Sequence, residues 1–275
     1  RVIDQNAIKA KNVIFTTNSS QIINREIEIP LVSQDELETV IKFEIQQYLP
    51  INLDDYIIQY LIIEEILVEG NKKLKVNVTS FPERMAYSYY KVINKLELTP
   101  LGLDVNYNSI NKLANLSECN SSNKYGSVAF VDIGATSINI SIFKNRKLAF
   151  TRMIKVGGDR IDNDIQEELN ISIKATESIK IREVDILDSE ERLNLVVRGS
   201  VDELLEEVER ILKFYSNKFS GEIEKVYLYG GTSKLNNLIT YVNEKIELKI
   251  DSLDSIKNLA LSNKNKEEGL SEYLN

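Results

Sequence analysis

The chain has 275 residues, 43% hydrophobic and 28% charged, which is the make-up of a globular protein with a substantial core and room for two domains or subdomains. Its 34 basic and 42 acidic residues leave a net charge of −8, and no Lys/Arg stripe with interleaved aromatics offsets it, so nucleic acid is not an expected partner. The chain has no histidine, which removes Ser-His-Asp and Cys-His nucleophiles, His-based zinc sites and imidazole bases.

In chain order, "KNVIFTTNSS" and "INREIEIP" read as strands, the second closed by Pro30. Ser33 with Glu36 forms a capping box that opens a helix. Leu37, Val40, Ile41, Ile45, Tyr48 and Leu49 follow at helical spacing up to Pro50. "YIIQYLIIEEILVEG" and "LKVNVTSF" read as a hairpin turning at Gly70-Asn71. "PERMAYSYYKVINKLEL" reads as a helix and "TPLGLDVNY" leads into a short strand. The order strand, helix, two strands, helix, strand makes an α+β unit of about residues 21–103. The Ser/Asn-rich "LSECNSSNKYG" is a linker candidate, and Cys119 within it reads as chemically idle.

The second half opens with "VAFVDIGATSINISIFKNRKLAF", an apolar strand ending at Asp132, a turn of small residues, and an alternating strand. A third strand, "KLAFTRMIKV", runs to Gly157-Gly158-Asp159 ahead of the helix "RIDNDIQEELN". "ISIKATESIKIREV" and "DILDSEERLNLVVRG" form a smaller insert without a clear assignment. "VDELLEEVERILKFYSNKF" is strongly amphipathic, with Val201, Leu204, Leu205, Val208, Ile211, Leu212, Tyr215 and Phe219 on one face. "EKVYLYGG" is a buried strand, after which "TSKLNNLITYVNEKI" restarts a helix; the tail is polar.

No apolar run approaches the roughly 18–20 residues that span a bilayer, and no secretory signal is visible. The single cysteine permits no intrachain disulfide and points to a reducing compartment. The expected location is cytoplasmic. The chain opens with Arg1, inside what reads as a helix or its tail, so this start is not read as the natural one.

Three glycine-bearing turns end apolar strands: Asp132 to Ser137, Gly157-Gly158-Asp159, and Gly230 to Lys234. Each also reads as an ordinary connector when taken singly, with Asp159 as a helix N-cap. Together they suit an anion. Gly134 admits a close backbone approach, and Thr136 and Ser137 supply hydroxyl or amide donors. Asp132 suits the water shell of a Mg²⁺ that bridges to phosphate. The glycine pairs place helix N-termini, with their positive dipole ends, beside the site.

"VAFVDIGATSINISIF" resembles the second phosphate hairpin of the actin-like ATPase superfamily, and "VYLYGGTSKLNNL" its adenosine motif. "REIEIP", "SQDELETVIKFEIQQYLPINLDDYIIQY", "FTRMIKVGGDRIDNDI" and "EGLSEYLN" narrow the resemblance to the PilM family of type IV pilus assembly, with the FtsA cell-division proteins more distant. The resemblance implies an α/β, actin-like (ribonuclease H-like) two-domain ATPase fold with an inserted 1C-type α+β subdomain. Residues 21–103 would be 1C, and residues 1–20 and 104–124 remnants of 1A. Residues 125–275 would be 2A, with a small 2B insert at about 165–200.

The same resemblance implies ATP and Mg²⁺ in the cleft between the halves. Asp132 would orient the Mg²⁺ through water, and Gly134, Ala135, Thr136 and Ser137 would hold the β/γ-phosphates. Gly157, Gly158 and Asp159 would approach the phosphates or ribose, while Gly230, Gly231, Thr232 and Lys234 flank the adenosine. Glu206 and Arg210 fall on the helix that reaches ribose and base in the superfamily. The superfamily's first phosphate hairpin, Asp-x-Gly-x-Ser-x-x-Lys, has no counterpart here, so a site built from this chain alone is expected to lack one of two clamps. The implied function is an ATP-binding cytoplasmic scaffold, peripheral at the inner membrane, with weak or no ATPase activity. It would capture the N-terminal cytoplasmic peptide of PilN, within the inner-membrane pilus assembly complex, in a groove between 1A and 1C near residues 21–60. An FtsA-like division filament protein and a metabolite kinase of the same superfamily are the alternatives.

Overall fold

The computed structural model describes residues 2–5, 7–48, 52–116, 126–219 and 221–253. It divides into two compact units, Arg1–Ser109 and Ile110–Asn275.

The first unit carries helix α1 (Val2–Gln5), strands β1 (Asn12–Thr17) and β2 (Ile23–Pro30), and helix α2 (Gln34–Tyr48). Strands β3 (Tyr56–Val68) and β4 (Asn71–Pro82), helix α3 (Glu83–Lys95) and strand β5 (Thr99–Val105) follow. β1 and β5 pair in parallel, and β2, β4 and β3 form an antiparallel sheet with β4 central. Along β4, Leu74, Val76, Val78 and Ser80 are buried, the period-two signature of a sheet with one covered face. Leu37, Ile41 and Ile45 of α2 cover that face together with Ile27 and Ile29 of β2. The opposite face carries the pairs Lys75–Glu26 (2.8 Å) and Lys73–Glu28 (3.6 Å).

Ser33 and Glu36 do form a box at the start of α2, with a different division of labour from the usual one. Both the Ser33 amide (3.2 Å) and its hydroxyl (2.6 Å) donate to Glu36 Oε2. These bonds, the hydroxyl's first, hold the Glu36 carboxyl below the usual carboxylate value. The β3–β4 turn sits one residue earlier than expected. Val68 pairs with Asn71, leaving Glu69 (φ 50°) and Gly70 (φ 82°) as the two loop residues. Two positive φ angles match the right-handed twist of the strands, and Gly70 supplies one without steric cost.

A half-buried polar cluster ties β2 and β4 to the residues after β5. Tyr107, near the start of helix α4 (Asn106–Leu116), shares a hydrogen bond with the Thr79 hydroxyl (2.6 Å) and accepts one from Asn24 Nδ2 (2.9 Å). The expected linker lies outside the described residues from 117 to 125, Cys119 included, as do Leu49, Pro50 and the tail from 254 onward.

The second unit is built on a five-stranded sheet in the order β10-β9-β6-β7-β8. Strands β6 (Ser127–Ile133), β7 (Ile138–Lys144) and β8 (Lys147–Ile154) are an antiparallel meander; β9 (Ile223–Tyr229) and β10 (Ile250–Ser252) run parallel to β6 and β9 respectively. Ala129, Val131, Ile133, Ile138, Ile140 and Ile142 join the larger core. Val128, Phe130 and Phe143 pack with Tyr227 and Ile110 in a second cluster. Burial on both faces explains why β6 reads as an unbroken apolar run.

Helices α5 (Asp159–Leu169), α6 (Ile173–Arg182), α7 (Arg192–Phe219) and α8 (Leu238–Lys245) complete the unit. Helix α7 begins nine residues before the expected Val201, because Asn194, Val197 and Ser200 extend its buried face. Asn194 is satisfied there, accepting from the Asp185 amide (3.0 Å) and donating to Asp188 (3.2 Å). Nor does a helix restart directly after Gly230-Gly231. A 3-10 turn spans Gly231–Lys234, and α8 starts only after Asn237, which holds φ 59°.

Candidate functional site

The three glycine turns of the second unit converge on one backbone carbonyl. Ile133 pairs with Ile138, so residues 134–137 form a four-residue loop, closed by the Gly134 amide donating to Ser137 O (3.0 Å). The Gly134 carbonyl accepts the Gly158 amide (2.9 Å), and the neighbouring Ala135 carbonyl accepts the Asp159 amide (2.8 Å). Thr232 Oγ1 lies 3.5 Å from the same Gly134 carbonyl. A Cβ on Gly157 would stand 2.3 Å from Gly134 O and 2.6 Å from Ala135 O, so only glycine permits this approach. Gly230, at φ 94°, leaves room for the Asp132 carboxylate, which a Cβ there would meet at 2.4 Å.

The amides of the N-cap and of the first α5 residue are therefore spent on the β6–β7 loop, and that helix start is an internal joint more than a free anion cradle. Gly158 occupies the N-cap position; Asp159 is the first helical residue. Ala135 and Thr136 stand exposed at the loop tip. Asp132 is half-buried at the end of β6, between Asn139 and Tyr229 in the sheet, with Asn139 Nδ2 3.5 Å from Oδ2.

Beside these turns lies a groove of about 770 Å³. Its walls include Ala135, Gly158, Asp159, Tyr229, Gly230, Gly231, Thr232, Lys234 and Leu235, together with Asp162 of α5 and Glu177, Lys180 and Ile181 of α6. Asp132, Gly134, Thr136, Ser137 and Gly157 stand in the same turns but are not among its lining residues. Glu206 and Arg210 are exposed on α7 and do not line the groove; Arg210 is paired with Glu207. The helix that supplies an acid and a cation to the groove is α6, through Glu177 and Lys180. Sequence reasoning left that segment unassigned, although a Glu and a Lys three apart on one helical face were a usable signal. A Cβ on Gly231 would meet no atom within 4 Å, so the groove is open at this glycine.

The lining carries three carboxylates (Asp159, Asp162, Glu177) against two ammonium groups (Lys180, Lys234). A polyanion entering such a groove needs an accompanying cation. Among the described residues no cluster of three or more His, Cys, Asp or Glu could hold a metal ion by itself.

A family model described as Type IV pilus assembly protein PilM matches residues 1–274. The chain belongs to the PilM family. The structure also resembles that of a "PilM-PilN type IV pilus biogenesis complex", with a TM-score of 0.79 and 20% identity, covering 99% of this chain and 77% of that one. This likeness shows the fold, the actin-like two-domain α/β class expected from the sequence. MreB 5 of Spiroplasma citri bound to AMPPNP gives a TM-score of 0.47 at 15% identity, over 68% of this chain and 67% of that one. Cell division protein FtsA of Bacillus subtilis (strain 168) is 30% identical over 120 residues, 44% of this chain and 24% of FtsA, so the match spans about a quarter of that relative. Among the described residues no helix is long and apolar enough to cross a membrane.

Proposed function

We propose that this protein is a nucleotide-binding scaffold of type IV pilus assembly that captures the N-terminal cytoplasmic peptide of PilN and is held at the inner membrane through it. The family match over residues 1–274 carries this reading. A groove of about 630 Å³ in the first unit suits an extended peptide. Gln21, Asp55, Tyr56, Pro82, Glu83, Arg84 and Tyr87 line it, so it offers aromatic surface and both signs of charge. Tyr87 stacks on Tyr90 with ring centroids 6.4 Å apart, Lys91 Nζ lies 4.5 Å from the Tyr87 ring centre, and both tyrosines are about half exposed. Such aromatic surface is what anchors peptides at protein interfaces.

The groove in the second unit fits ATP with Mg²⁺. Its space at Gly231 and its surplus of carboxylate support a ligand that brings its own cation. Asp132 would hold the Mg²⁺ through water, and Gly134 to Ser137 would face the phosphates. Gly230, Gly231, Thr232 and Lys234 would flank the nucleoside, with Glu177 and Lys180 of α6 also lining the groove. The ion would neutralise phosphate charge; the chain's own residues bind and orient. A competition experiment tests the functional reading: immobilised protein is offered PilN N-terminal and FtsZ C-terminal peptides. Selective retention of the PilN peptide supports the scaffold. Retention of the FtsZ peptide, or phosphate transfer to a small metabolite, overturns it.

A further inference from the structure

We infer that Asp162 is a positioning residue that fixes where the Lys180 ammonium stands in the nucleotide groove. The inference rests on the nucleotide reading of that groove. Lys180 Nζ donates to Asp162 Oδ1 at 2.7 Å, and the two side chains are only 15% and 17% exposed. An outer-surface pair such as Lys213–Glu209 is 67% and 36% exposed. Asp162 lies one turn beyond Asp159, whose amide is bonded to the phosphate-side loop, and Lys180 lies one turn beyond Glu177. The pair therefore ties the helix that starts at the glycine turn to the neighbouring helix α6, both of which line the groove.

A lysine side chain is long and loses considerable rotamer freedom when fixed. Held by Asp162, it keeps two of its three N–H donors for a ligand, and the ordering is done before the ligand arrives. The Asp162 charge would repel an anion if it stood alone. At 2.7 Å from an ammonium it is neutralised, so positioning outweighs repulsion.

Titration calorimetry of the full chain with Mg·ATP, with melting temperatures measured alongside, tests this. Asp162→Asn should weaken binding by about five- to tenfold, the loss of one charge-assisted contact. Asp162→Glu should restore part of the affinity. In a Lys180→Met background, Asp162→Asn should add less than about a twofold further loss, because the two residues act as a unit. Unchanged or tighter binding by Asp162→Asn overturns the inference, as does a full additional loss in the Lys180→Met background. A lower melting temperature with unchanged affinity does the same, since it assigns the pair to fold stability alone. Absence of any binding by the unaltered protein is a separate result, which overturns the nucleotide reading and the inference with it.

Discussion

Replacing Gly157 and Gly231 by alanine, one at a time, separates the packing of the turns from the space they leave. A methyl at 157 would sit 2.3 Å and 2.6 Å from two carbonyl oxygens that already accept the Gly158 and Asp159 amides. Both contacts are backbone, so the loop and the helix start must move apart. Overpacking costs about 1–3 kcal/mol, and two weakened hydrogen bonds add about 1 kcal/mol each, for a total of about 4 kcal/mol. For a unit of this size that lowers the melting temperature by about 10 °C. A methyl at 231 meets nothing within 4 Å, so stability should change by less than about 0.5 kcal/mol. It occupies ligand space, however, and Mg·ATP affinity should fall by about tenfold, or about 1.4 kcal/mol. Thermal melts and calorimetric titrations of the two variants are the assay. A Gly157→Ala protein that melts like the parent would refute the interlocked turns, and unchanged ATP affinity in Gly231→Ala would remove the ligand from this groove.

Asp132→Asn should abolish the Mg²⁺ dependence of ATP binding, so that the variant binds with and without EDTA as weakly as the parent does with EDTA; a retained Mg²⁺ response counts against the assigned role. Tyr107 is neutral in the fold, and burial pushes its phenol above the ordinary value despite the bonds from Thr79 and Asn24. The unfolded chain then loses this proton first, so stability should fall as pH rises from about 10 toward the folded value. Tyr107→Phe should remove that part of the alkaline loss in chemical denaturation, and a parallel pH profile would contradict the burial argument. NMR titration should find the Glu36 carboxyl below the usual carboxylate value, with Ser33→Ala returning it only part of the way, because the backbone amide of residue 33 still donates; its helix-start contribution is present above the unfolded pKa and lost as pH falls through the folded one.

The sequence made the strands and the glycine turns legible because their signals are local. Strand β6 is buried on both faces, so it reads as an apolar run that stops at Asp132 and Gly134. Helix α6 and the first turns of α7 were hidden because their buried positions include Thr176, Asn194 and Ser200, whose polarity breaks the apolar period. Thr176 is satisfied within its own helix by Ile173 O, while Asn194 and Ser200 bond Asp185 N and Asp164, partners that only the folded chain brings within reach. The same reason hides Glu177 and Lys180 of α6, whereas Glu206 and Arg210 were implied by the family resemblance and not by a local pattern. The spending of the α5 amides on the Gly134 and Ala135 carbonyls is likewise tertiary, and no dipeptide motif encodes it.

The scaffold reading is tested most directly by titrating the full chain with the PilN N-terminal cytoplasmic peptide, beside the Tyr87→Ala variant. Saturable one-to-one binding by the parent, weakened about tenfold or more by Tyr87→Ala as for a central aromatic anchor, is the expected result. No binding by the parent would contradict peptide capture itself. Equal binding by parent and variant would move the peptide away from the groove of the first unit.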